Sequence, residues 1–101
     1  MRERDIERHL VRRVKELGGE VRKVQWIGRR GAPDRLVMLP AGARKVPGGR
    51  QEWDDSTIWV ELKAPGVQAE PHQLREHVRM REKGQRVVVI DSIEGVEALL
   101  S

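Results

Sequence analysis

The sequence has no cysteine among its 101 residues, which excludes a disulfide scaffold, a thiolate zinc site and thiol catalysis. No apolar run approaches the roughly 18 residues that a membrane span needs. The opening Met1-Arg-Glu-Arg-Asp lacks the apolar stretch of a signal peptide. There is no repeat, no low-complexity tract, and no helix-turn-helix, zinc finger or other base-reading module. The expectation is a soluble, intracellular protein. Its length suits a single domain over residues 1–101. With 38% apolar and 36% charged residues, the core must be economical.

What is present is charge, unevenly placed. Residues 1–50 carry 14 Lys/Arg against 6 Asp/Glu, whereas residues 51–101 carry 6 against 10. A basic half of this kind suits a polyanionic partner. A mixed, solvated surface explains the charge equally well.

The order of elements follows from periodicity. Ile6, Leu10, Val14 and Leu17 form one apolar stripe at helical spacing, closed by Gly18-Gly19. A strand is expected over 20–27, with Val24 and Trp26 alternating against polar neighbours. Turn chemistry at Gly28 to Pro33 leads into a short strand over 35–39. The stretch 40–55 is polar and glycine-rich and reads as a long connection. A third strand over 57–63 is stopped by Ala64-Pro65-Gly66. A second helix runs from Pro71 to Lys83, with Gly84 just beyond it. The stretch 86–90 holds an unbroken Val-Val-Val-Ile run and is expected to be a strand buried on both faces. Asp91-x-x-Glu94 resembles a capping box that opens a last helix to Leu100. The predicted order is α-β-β-β-α-β-α, an antiparallel meander followed by a crossover strand, in a small α/β sandwich.

Candidate chemistry gathers at a few positions. In the third strand, alternation puts Glu61 and Lys63 on one face and Ile58, Val60 and Leu62 on the other. A buried carboxylate and ammonium must be paired or bind something; a simple ion pair at the strand end is one solution. Asp34 enters the second strand, and a meander brings that point beside the end of the third, so Asp34 can approach Glu61. Two carboxylates forced together repel, and a divalent cation relieves the repulsion. The other use of Pro33-Asp34 is a turn in which Asp bonds its own backbone. On a helical wheel Glu7 falls between Val14 and Val11, a core-facing acid or a boundary residue reaching out to water. Gln73 lies beside the apolar stripe of the second helix, between Met80 and His77, a place where a backbone partner could equally satisfy its amide. His9, His72 and His77 show no metal-ligand spacing and read as surface or boundary residues.

Glu7, Pro33-Asp34, Glu61-x-Lys63 and Gln73, in this order on this framework, resemble the PD-(D/E)xK nuclease superfamily. Within it, the chain is similar to a stand-alone VRR-NUC domain through Gly31-Ala-Pro-Asp-Arg-Leu-Val, Trp59-Val-Glu-Leu-Lys-Ala-Pro-Gly, Gln73 and Gly84-x-x-Val-Val-Val-Ile-Asp. The resemblance covers nearly the whole chain and implies a restriction-endonuclease-like sandwich with a mixed central sheet.

It also implies roles. Asp34 and Glu61 would hold Mg²⁺, or Mn²⁺ in its place, with the Leu62 carbonyl as a further ligand and Glu7 completing the set. Lys63 would orient or help deprotonate the attacking water and offset developing charge, and Gln73 would position the Lys63 group. Arg29 and Arg30 would flank the cleft, while Arg44, Lys45 and Arg50 would reach along the DNA backbone. Such contacts position without reading sequence. The implied activity is metal-dependent, structure-selective cleavage of branched DNA, such as a Holliday junction, by a homodimer. The implied setting is the cytoplasm of a bacterium or of a virus-infected cell. Cleavage of flaps, a catalytically silent nucleic-acid-binding module, a purely structural α/β protein and a sequence-specific restriction enzyme are the rival readings.

Overall fold

The computed structural model describes residues 1–40 and 57–101. Its elements are α1 (Glu3–Glu16), β1 (Glu20–Lys23), β2 (Arg35–Met38), β3 (Thr57–Leu62), α2 (Pro71–Glu82), β4 (Val87–Ile90) and α3 (Ile93–Leu100). The sheet runs β1-β2-β3-β4, with β1/β2 and β2/β3 antiparallel and β3/β4 parallel. This is the α-β-β-β-α-β-α order with a mixed sheet that periodicity predicts. No described helix is long and apolar enough to cross a membrane.

The two faces of the sheet differ. Ile58, Val60 and Leu62 of β3 join Val37, Leu39 and Ile90 on the face covered by Ile6, Leu10 and Val14 of α1 and by Val96, Leu99 and Leu100 of α3. This is the hydrophobic core, and most of its members are fully buried. Arg13 of α1 holds the Glu97 carboxylate of α3 through Nε, at 3.0 and 3.1 Å, clamping the two helices at the rim. The other face carries Trp59 and Glu61 and is met by α2.

Five local expectations are corrected. β1 ends at Lys23 rather than Ile27. Val24 still donates its N–H to the Asp34 carbonyl at 2.8 Å, but beyond it the Trp26 indole turns its N–H to the Pro33 carbonyl and Ile27 is 95% exposed. In α1, Val11 is exposed, so Glu7 is flanked by core on one side only. In α2 the buried residues are Glu76, His77 and Met80, whereas Leu74 and Val78 point outward; the helix packs on a partly polar sheet face that takes polar side chains. In β4, Val89 is 37% exposed, because β4 lies at the sheet edge and Val89 is on the α2 side. The cap of α3 is also one residue later than expected, since Ser92 Oγ accepts from the Gly95 N–H at 2.9 Å.

Gly19 shows how closely α1 and the sheet approach. A Cβ there would lie 2.3 Å from the Met38 carbonyl oxygen and 2.9 Å from Val14 Cγ1, so only glycine fits without a backbone shift. Gly19→Ala is expected to destabilise the fold by about 1–3 kcal/mol, read from chemical denaturation; unchanged stability would show that this junction yields.

Candidate functional site

The register of β2 on β3 pairs Arg35 with Val60 and Leu36 with Trp59. Continued one residue, it sets Asp34 opposite Glu61, and residues directly opposite share a face. Glu61 is buried, at 8% exposure, while the Asp34 side chain remains 49% exposed. Burial pushes the Glu61 carboxyl up to about 7; Lys63 opposes that shift, while Asp34 and Glu3 add to it. Asp34, Lys63, Glu3 and Arg35 therefore all act on Glu61 at this end of the sheet.

Continued once more, the register puts Pro33 opposite Leu62. Proline has no N–H to offer the Leu62 carbonyl, which leaves that oxygen beside the carboxylates without a ladder partner from β2. Gly31 lets the preceding turn lie directly on α2. A Cβ there would meet the His72 carbonyl oxygen at 3.0 Å and Gln73 Cα at 3.3 Å, and its φ is +88°. The turn that delivers Asp34 is thus seated on the first turn of α2.

Glu7 and Asp34 are linked through Arg35. Strand alternation sends Arg35 to the α1 face, where its Nε donates to Glu7 Oε2 at 2.6 Å and its Nη2 also pairs with that oxygen. Arg35 Nη1 lies 2.9 Å from Asp34 Oδ1. Burial lowers the Arg35 pKa, but the Glu7 hydrogen bond and the Asp34 carboxylate outweigh it and leave it raised. Glu7 therefore meets the site across a guanidinium. Glu3, one turn earlier, is the helix-one acid whose field reaches Glu61.

Gln73 uses its side-chain oxygen to accept the Glu70 N–H at 2.8 Å, capping α2. His77 is the residue sequence reasoning missed. It is fully buried, its Nε2 lies 3.7 Å from Glu61 Oε1, and among the described residues neither ring nitrogen has a hydrogen-bond partner. Burial lowers its pKa, so a neutral imidazole sits behind the Glu61 carboxyl. Its spacing from Gln73 and Met80, four and three residues, was the available signal, since all three lie on one side of the helix.

The basic residues divide. Arg29 Nε and Nη2 each lie 2.8 Å from a Glu76 carboxylate oxygen, and Arg79 Nε adds a contact at 2.9 Å. The hydrogen bond from Arg29, followed by that from Arg79, holds the Glu76 carboxyl down at about 2 despite its burial. Arg30 is exposed. Arg44, Lys45 and Arg50 lie outside the described residues.

The donor set at this end of the sheet is all oxygen: two carboxylates and a carbonyl. Among the described residues no group of three or more His, Cys, Asp or Glu could hold a metal ion. A hard cation that keeps its own waters needs fewer protein ligands than that. Burial raises the Glu61 carboxyl, Asp34 and Glu3 add to that, and Lys63 and Arg35 oppose it. Two carboxylates and a carbonyl are donors of the kind Mg²⁺ takes.

No family model matches the chain. It is 46% identical over 92 residues to "Putative nuclease p44" of Acyrthosiphon pisum secondary endosymbiont phage 1, a match covering 91% of this chain and 85% of that protein. A solved structure described as a "VRR_NUC domain" superposes with a TM-score of 0.75 at 38% identity, over 96% of this chain and 91% of the other.

Glu61 gives the fold a pH dependence of defined sign. Its folded pKa of about 7 lies above the ordinary 4.5, so the folded state holds the proton more tightly than the unfolded chain. Stability therefore falls as pH rises from about 4.5 through about 7. Without divalent cations, Glu61→Gln should raise the melting temperature by several degrees at pH 8 and change it little at pH 4.5. Equal shifts at both pH values would remove the charge of Glu61 as the cause.

Proposed function

The chain belongs to the VRR-NUC family of nucleases, and from that premise we propose that it is a metal-dependent, structure-selective DNA endonuclease. Its substrate on this reading is branched DNA, with the Holliday junction first, and its working form is a homodimer whose two sites make paired cuts. The observation that carries the reading is the register-fixed meeting of Asp34 with Glu61, with Lys63 close enough to oppose the raised pKa of Glu61.

Asp34, Glu61 and the Leu62 carbonyl are the groups that would hold Mg²⁺, with Mn²⁺ as substitute; both prefer oxygen ligands. Bound there, the cation would activate a water and stabilise charge on the transferring phosphate and leaving oxygen. Lys63 orients the attacking water and offsets negative charge that develops on the phosphate. Glu7 acts at one remove, through Arg35, by fixing where the Asp34 carboxylate points. Gln73 positions the Lys63 end of the site through its amide, one lone pair of which is already committed to the cap of α2. Arg29 and Arg30, and from the connecting stretch Arg44, Lys45 and Arg50, contact the DNA backbone; Arg29 does so as part of its cluster with Glu76.

One observation favours a second reading. The Arg35 guanidinium already stands against Asp34, and a cation of the protein's own there suits a silent module that binds DNA without cutting it.

Labelled four-way junction, flap and linear duplex DNA, incubated with the protein in Mg²⁺, Mn²⁺ or EDTA, separate these readings. Paired, metal-dependent cuts confined to the junction are expected. Asp34→Asn, Glu61→Gln and Lys63→Ala should each lower cleavage by roughly a hundredfold or more while binding persists. Cleavage of the flap alone would change the substrate and keep the nuclease. Binding without cleavage in either metal would establish the silent module.

A further inference from the structure

The chain has three tryptophans and no phenylalanine or tyrosine, and among the described residues no aromatic lies in the hydrophobic core. Two of them, Trp26 and Trp59, instead lie together on the α2 side of the sheet, with ring centroids 5.1 Å apart and planes inclined at 48°. Each indole is anchored by its N–H, Trp26 to the Pro33 carbonyl at 2.8 Å and Trp59 to Gln85 Oε1 at 3.1 Å. The rings are therefore held in place, yet Trp26 remains 37% exposed. Both line a cavity of about 280 Å³.

The chemistry of this cavity is mixed in a specific way. Its lining is largely apolar at the indoles and Met80, whereas Arg29, Arg79 and Lys83 bring three cations and Glu76 one carboxylate. Flat aromatic surface beside surplus positive charge is complementary to a nucleotide, whose base stacks while its phosphate pairs with cations. The volume lies just under the roughly 300–1,000 Å³ of pockets for drug-sized ligands, so it suits one ring system. It also borders the candidate catalytic end. A neighbouring groove of about 660 Å³ shares Trp26 and Arg29 and contains Asp34 and Lys23.

We infer that the Trp26–Trp59 cavity is a subsite for a single unpaired nucleobase of the DNA substrate, adjoining the phosphodiester presented to Asp34 and Glu61. The inference rests on the nuclease reading and deepens it. A base held in a duplex reaches such a cavity only after unstacking and unpairing, which costs least where the DNA is already open. The cavity thereby supplies selectivity for structure without any contact that reads sequence.

The test is binding of the 101-residue chain to flapped and four-way duplexes in EDTA, followed by fluorescence anisotropy. Each substrate carries one abasic sugar at a different unpaired or branch-point nucleotide. The wild-type protein should lose roughly tenfold in affinity at one position, the worth of one stacked base. The loss should vanish in Trp26→Leu and persist in Trp26→Phe. Should Trp26→Leu fail to fold, intrinsic tryptophan fluorescence of the wild type gives the second readout, quenched by the intact substrate and not by its abasic counterpart at that position. Affinity indifferent to every abasic replacement, or an equal loss in Trp26→Leu, overturns the subsite and leaves the nuclease reading standing. Failure of the folded wild type to bind any of these DNAs overturns both.

Discussion

Asp34 and Glu61 are brought together by the pairing of β2 with β3, against their mutual repulsion. Side by side, two carboxylates disfavour each other's charge, and the fold must override that from elsewhere. It does so from the opposite face of the same strands, where Val37, Ile58, Val60 and Leu62 are buried against α1 and α3. Strand periodicity makes the two consequences inseparable: any register that buries those four residues also places the two acids on the other face. The hydrophobic effect thus holds in place an electrostatic arrangement that is unfavourable by itself.

The sheet consequently divides the molecule into a side that packs and a side that is polar and cleft-bearing. Arg35 is the exception that joins them. It rises toward α1, where Glu7 receives it, yet one arm of its guanidinium reaches back to Asp34. On the polar side, α2 is held by placed polar groups as well as by Met80: Arg29 grips its Glu76, and His77 stands behind Glu61. A helix attached in this way leaves open space beneath it, and the two indoles stand there.

Much of this was legible in the chain. The stripe of Ile6, Leu10 and Val14, the alternation in β3 and the punctuation by Gly18-Gly19 and Gly84 state the element order directly. The meander implied that Asp34 would approach Glu61, and the register agrees. What periodicity could not supply was the character of α2. Leu74 was the obvious apolar residue of its stripe, yet it points outward while Glu76 and His77 point in. That inversion depends on the sheet face beneath, which carries a carboxylate and indoles that pattern alone treats as ordinary strand residues. For Glu7 the wheel gave the right edge of α1, but its partner, Arg35, was visible only by applying strand alternation to the residue after Asp34. The pairing of Trp26 with Trp59 depends on where β1 stops, and strand ends are the least legible feature of a sequence.

The segment between β1 and β2 has a consequence for how such a chain can vary. Surface turns ordinarily accept an inserted or deleted residue at little cost. This one is seated on α2 at Gly31, bonded to Trp26 at Pro33 and followed at once by strand. A single added residue taken up by sliding β2 would exchange its two faces, carrying Asp34 into the oily interior and Arg35 out into the cleft. In this family of lengths and spacings, the distance from Gly31 to Asp34 is therefore fixed as strictly as the identity of the acid it delivers.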